Sequence, residues 1–261
     1  MSGLAHEPRP ALLADTVQLA GRHLRLMSRR PASIMGAIIF PLVFAFLFFT
    51  VLGRVMERAG IDYAQYLLPA IVIQAMFFSA MSASVWAAED ACGGMVDRLR
   101  SMPISRTAPV LSLLGGELVR SLLSIVVLIA AGHVFGFRFE RGWGYAAVFV
   151  LIALGMAVAA CAGYLVLGFA IARVETVEVT GGLVYYPLLL VSDLFVPAGS
   201  FPGWLRPIVE NQPISRVADA LRATSATGGG PWPDVLVAVA WIVVATLGFA
   251  LLAPRAFAGR R

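Results

Sequence analysis

The sequence contains no lysine; all twenty basic residues are arginine. That absence removes whole classes of chemistry. A phosphate-binding loop of the form G-x-x-x-x-G-K-[ST] needs a lysine at the β- and γ-phosphates, so this chain does not hydrolyse ATP in that way by itself. Lysine-dependent Schiff-base and Ser-Lys chemistry is excluded with it. Cysteine is almost as scarce. Cys92 lies in a charged segment and Cys161 inside an apolar run, which suggests neither a disulfide nor a metal site. The three histidines, His6, His23 and His133, lie far apart, and neither G-x-S-x-G nor H-E-x-x-H occurs. An intramembrane protease or lipid transferase therefore lacks recognisable machinery.

Charge of either sign is also sparse. Charged residues make up 13% of the 261 positions, against about 25% in soluble domains. Apolar residues make up 59%, and the mean hydropathy is +0.84. This balance belongs to a polytopic membrane protein. The net charge of +5 reflects arginines at the ends of apolar runs rather than a nucleic-acid surface.

Six runs approach the roughly 20 apolar residues that a spanning helix needs. They cover about 34–52, 66–86, 118–135, 145–172, 179–196 and 235–252. Backbone groups in lipid must be satisfied internally, so all six are read as helices. The expected domain plan is an N-terminal segment over 1–33, a six-span domain over 34–252 and a tail over 253–261. Residues 12–30 place Leu13, Val17, Ala20, Leu24 and Met27 on one helical face and arginines on another. That pattern suits an amphipathic helix lying along the membrane interface. The first apolar run begins only at Ile34 and lacks a small-residue cleavage site, which argues against a signal peptide. With the N-terminus inside, twelve arginines fall in cytoplasmic segments and seven in outer ones. The bias favours both termini inside.

The stretch EDACGGMVDRLRSMPISR, Glu89 to Arg106, gathers six of the 35 charged residues between two apolar runs. After Gly93 and Gly94, the residues Met95, Val96, Leu99 and Met102 fall on one side of a short predicted helix. Asp97, Arg98 and Ser101 fall on the other, and Pro103 stops it. Two turns of helix are not stable alone in water, so this one needs a surface to pack on. Its apolar side suits insertion into a groove of a partner.

These residues resemble the cytoplasmic loop of ABC transporter permeases of the type 2 exporter class. The likeness is carried by Glu89 and Asp90, Arg98-Leu99-Arg100 and Met102-Pro103-Ile104-Ser105-Arg106. A second stretch, Phe195 to Ala223, is similar to the outer segment of the drug-resistance (daunorubicin/doxorubicin) branch. It carries Phe195-Val196-Pro197, Pro202-Gly203-Trp204-Leu205, Gln212-Pro213 and Ala220-Leu221-Arg222. Asp193 and Gly115-Gly116 depart from the residues common in that family.

The resemblance implies an all-α permease. It would have six transmembrane helices, a cytoplasmic coupling helix and short outer re-entrant helices before the last span. It also implies a bacterial inner-membrane location and a second permease copy, identical or paralogous. A separate ABC ATPase subunit would carry the ATP and Mg, with no cofactor on this chain. The coupling contacts would be Glu89, Gly94, Met95, Arg98, Leu99, Arg100, Met102 and Pro103. Hydrophobic drug-like or lipid molecules would be the cargo.

Within 197–233, Ile214, Val217, Ala218 and Leu221 form one apolar helical face, and Trp204 suits the headgroup region. Tyr185, Tyr186, Asp193 and Trp204 are candidates for the substrate path or outer gate. Glu117 and Arg120, three apart, are expected to pair at the interfacial start of the third span. His133 is expected to be hydrogen-bonded and structural, and Gln74 to bond a neighbouring helix. Gly155, Ala159 and Gly163 form a small-xxx-small strip for close helix approach. An ion-coupled transporter would want paired carboxylates at mid-depth, and none is evident.

Overall fold

Long apolar runs can hide their backbone from lipid as helices, and this chain takes that course. The computed structural model describes residues 31–58, 60, 62–93, 108–171 and 173–258, with side chains described over 39–58, 60, 62–93, 113–171 and 173–252. Among the described residues there is no strand. Five long helices are α1 (Pro31–Arg58), α2 (Tyr63–Cys92), α3 (Ala108–Val134), α4 (Trp143–Ile171) and α8 (Trp232–Ala258). All five are long and apolar enough to cross a membrane. Between α4 and α8 lie α5 (Val174–Leu190), a 3-10 turn at Ala198–Ser200, α6 (Arg206–Asn211) and α7 (Pro213–Ser225). The amphipathic segment expected at 12–30 and the coupling helix expected at 95–102 lie outside the described residues.

The expected fifth span needs adjustment. It was read over 179–196, but α5 begins at Val174, has 17 residues and ends at Leu190, three residues past Pro187. A turn over 191–196 replaces the last part of that span, because Ser192 and Asp193 spend their polar groups on turn and tertiary bonds. The third helix starts earlier than the apolar run, at Ala108 rather than near 118. Pro31 is the first residue of α1, a position where its missing N–H costs nothing.

The polypeptide runs back and forth between two ends of the bundle. One end carries the termini of α2 and α3 that flank the charged segment. The other carries α6 and α7 and is termed the capped end. Helix α2 is the most buried element and α1 and α8 are the most exposed. The Asp62 carboxylate starts α2 by accepting from the N–H groups of Ala64 and Gln65 at 3.1 and 3.2 Å. Helices α2 and α4 touch most intimately at Gly168, where any Cβ would collide with the Ser84 carbonyl. Gly155 and Gly163 of the small-residue strip face Ile242 and Phe249 of α8, so the strip serves packing within the chain. The chain leaves α3 through Gly136 at φ +104°, and the Phe137 N–H turns back to the Gly132 carbonyl at 2.9 Å. That turn drops the Phe137 ring into full burial.

Candidate functional site

Helices α1 and α5 both approach the same side of α2, and aromatic rings fill the seam. Phe40 of α1 meets Phe78 of α2 edge-on at 4.8 Å, and Phe78 meets Tyr185 of α5 at 5.4 Å. Phe40, Phe44 and Phe48, four residues apart on α1, make a ladder of rings. It ends in a stack of Phe48 on Phe195 at 4.5 Å. Pairs in these geometries contribute about 0.5–1.5 kcal/mol each beyond area burial. The two candidate tyrosines separate. Tyr185 is fully buried, whereas Tyr186 is 54% exposed on the open side of α5. The Gln74 side chain and the Tyr185 hydroxyl are both buried, and they are polar partners across α2 and α5, the neighbouring-helix contact expected of Gln74.

The capped end is braced by one guanidinium. Arg222 of α7 lies over the Tyr66 ring of α2, with Cζ 3.7 Å from its centroid. Its Nη1 donates to Asp193 Oδ2 at 3.0 Å, and its Nη2 donates to the carbonyls of Asp193 and Leu194 at 3.0 Å each. The Tyr66 hydroxyl donates to the Asp193 carbonyl as well. Helices α2 and α7 and the 191–196 turn are therefore tied at one point. Asp193 is buried here as an ion-pair partner, with the Asp219 carboxyl within hydrogen-bonding reach of its own.

Asp219 lies 3.4 Å from the same guanidinium. Burial, followed by the neighbouring Asp193, pushes its carboxyl up to about 7, against the lowering pull of Arg222. Gln212 Nε2 adds a tie to the carbonyls of Leu188 and Val191 at 3.2 and 2.5 Å.

A second brace joins the α3–α4 loop to the α7–α8 loop. Arg141 donates to the carbonyls of Ala226, Gly228 and Gly229 at 2.5–2.9 Å. Glu140 Oε2 accepts from the Thr227 N–H at 2.7 Å and its hydroxyl at 2.8 Å, and these bonds lower the Glu140 pKa. Sequence reasoning passed over Tyr66, Glu140 and Arg141. The available signal was the set of arginines counted in the outer segments. Trp204 stands 75% exposed beside the short α6.

The expected face of α7 is in place, with Ile214, Val217, Ala218 and Leu221 all buried. His133 is bonded through Nδ1 to the Ile129 carbonyl at 2.8 Å, a structural role as expected. Of the residues expected to contact an ATPase, Glu89 is described, exposed in the last turn of α2. Gly94, Met95, Arg98, Leu99, Arg100, Met102 and Pro103 lie outside the described residues.

Glu117 and Arg120 pair as expected. Both are 3% exposed. Because α3 starts at Ala108, Glu117 stands nine residues, about 13 Å, inside the helix. Arg120 also donates to Ser79 Oγ at 2.7 Å and to the Ser79 carbonyl, and Ser121 donates to Glu117 Oε1 at 3.2 Å. Among the described residues no cluster of His, Cys, Asp and Glu could hold a metal ion.

Comparison with known proteins gives one consistent picture. Residues 15–225 match the ABC-2 type transporter family. The chain is 27% identical to the daunorubicin resistance ABC transporter permease protein DrrB1 of Streptomyces coeruleorubidus, over 88% of this chain and 81% of that one. It is 29% identical to the probable doxorubicin resistance ABC transporter permease protein DrrC of Mycobacterium tuberculosis, over 84% and 79%. It is 28% identical to DrrB of the same organism, over 93% of each chain.

Proposed function

The chain belongs to the ABC-2 type transporter family and is a multi-pass membrane protein, and from that premise we propose that it is the membrane-spanning subunit of an ABC exporter. It works as a pair of permease copies with two separate ATPase subunits that hold the ATP and Mg. The capped end faces outward, both termini face the cytoplasm, and α5 with its terminal turn completes a sixth crossing. A hydrophobic drug-like or lipid molecule is the cargo. Closure of the ATPases presses on the segment from Glu89 to Pro103. There Leu99, Met95 and Met102 seat in an apolar groove of the partner, with Glu89, Gly94, Arg98 and Arg100 at its rim.

The observation that carries this reading is the aromatic seam of α1, α2 and α5. Its rings offer stacking surface to a flat apolar cargo, and Tyr186 is exposed at its open side. The braced cap stands directly above it. Moving α5 shifts the 191–196 turn, and with it Arg222 and α7. The names of the relatives in Streptomyces and Mycobacterium agree with such a cargo.

The test is export of a fluorescent anthracycline from an efflux-deficient bacterium that co-expresses the chain and its ATPase. Leu99→Asp places a charge where an apolar groove has no partner for it. Export is expected to stop while the amount of permease in the membrane stays unchanged. Full export by this variant removes the coupling assignment, and export without any ATPase removes the reading altogether.

A further inference from the structure

A cavity lies beside the aromatic seam, divided from it by Phe77, which lines the cavity and meets Tyr185 at 5.3 Å. Its volume is about 380 Å³, between α2, α4, α5, α7 and α8, within the range of about 300–1,000 Å³ typical of small-molecule sites. Its walls are almost wholly carbon. Tyr164 contributes a ring, but its hydroxyl is already spent on the Gly181 carbonyl at 3.0 Å. A polar ligand would find little to bond here.

The shape narrows the choice of occupant. Met156 and Leu167 of α4 both line the cavity, and eleven residues of helix span about 16 Å. Volume over length, widened by a water radius at each wall, gives a bore of about 8 Å, against about 10–12 Å for a helix with its side chains. A helix from a second copy does not fit, whereas an extended hydrocarbon chain does. Val184 and Trp241 line the slot and are 44% and 40% exposed, so it opens on the outer surface of the bundle between α5 and α8.

The upper mouth is formed by the first turns of α7, with Pro213, Ile214 and Val217. Arg216 stands on those same turns. Among the described residues its guanidinium bonds the neutral Asn211 Oδ1 at 2.7 Å and makes no ion pair. We propose that this slot holds one acyl chain of a membrane phospholipid, with the lipid phosphate on Arg216. Apolar walls receive the chain, and a cation at headgroup level receives the phosphate.

The experiment needs no ATPase and no transport, so its failure leaves the export reading standing. The purified full chain is placed in vesicles of phosphatidylethanolamine and phosphatidylglycerol. A small fraction of the phosphatidylglycerol carries a diazirine within one acyl chain. Photolysis is expected to label peptides bearing Met156 and Trp241. Ala159→Trp and Leu188→Trp each fill the slot and abolish that labelling, while label on the exposed α1 residues Phe46 and Val51 persists. Two such variants guard against one failing to fold, as judged by monodisperse elution. Arg216→Gln lowers slot labelling about fivefold, the weight of one arginine near a lipid surface. Equal slot labelling in both tryptophan variants overturns the proposal, as does label confined to α1. Copy-to-copy cross-linking through Val184→Cys also overturns it, by showing a second chain seated over the slot.

Discussion

Replacing Arg222 tests the brace most directly. Arg222→Gln keeps a polar amide but shortens the side chain by two atoms and removes the charge and the fork. In the structure that fork serves the Asp193 carboxylate and the carbonyls of Asp193 and Leu194, and it lies on the Tyr66 ring. Hydrogen bonds from a charged donor contribute about 1.5–3 kcal/mol each, and a desolvated cation–π contact about 2 kcal/mol. These are not additive. The controlling quantity is the Asp193 carboxylate, 10% exposed, left without its cation. Removing one partner of a buried pair costs about 3–5 kcal/mol.

Arg222→Lys should recover only part of that loss. An ammonium is a point charge and cannot meet a carboxylate and two carbonyls in one plane. Asp193→Asn with Arg222→Gln should be milder than Arg222→Gln alone, because no charge is then stranded. The assay is reversible unfolding in mixed micelles, with free energies from the denaturant midpoint and slope. If Arg222→Gln costs under about 1 kcal/mol, or Lys replaces Arg without loss, the brace does not hold the cap and the reasoning fails.

Three further outcomes follow from the same structure. Asp219 carries a proton in the folded state up to about pH 7 that it releases near 3.8 when unfolded. Its contribution is therefore fully present below 3.8 and is lost as pH rises through 7. Thermal melts across pH 5–8 should show wild type losing stability with rising pH and Asp219→Asn losing less, and parallel curves would contradict this. Glu117→Ala deprives the buried Arg120 of its carboxylate and should cost about 3–5 kcal/mol, whereas Glu117→Ala with Arg120→Leu should cost clearly less. Unfolding of the single and double variants reads the difference, and strict additivity would refute it. Gly168→Ala drives a methyl into the Ser84 carbonyl, which is backbone and cannot step aside. Separation of α2 from α4 should cost about 1–3 kcal/mol in the same unfolding assay, and a neutral result would show that these helices have slack.

The lack of lysine, the apolar runs and the Arg placement determined an all-helical membrane chain without a phosphate-binding loop of its own, because those are properties of composition and period. The amphipathic face of α7 was equally legible, since Ile214, Val217, Ala218 and Leu221 repeat at the spacing of a helix turn. The resemblance in the 89–106 and 195–223 segments was local in sequence and could be read there. What depended on one helix lying against another could not.

Hydropathy placed the start of the third span near 118, because Gly115, Gly116 and Glu117 dilute the apolar signal. The backbone continues from Ala108, and packing against Ser79 of α2 buries the Glu117–Arg120 pair within the bundle. Asp193 read the same whether it faced cargo or solvent. Only the approach of α7 to α2 and the 191–196 turn decided that Arg222 meets it. Arg138 and Arg141 weakened the charge bias as mere counts, yet the fold spends both on backbone carbonyls of its own loops. Period and composition act within one helix. Ion pairs, ring stacks and cavities are set by which surfaces meet, and that is decided only once the helices pack.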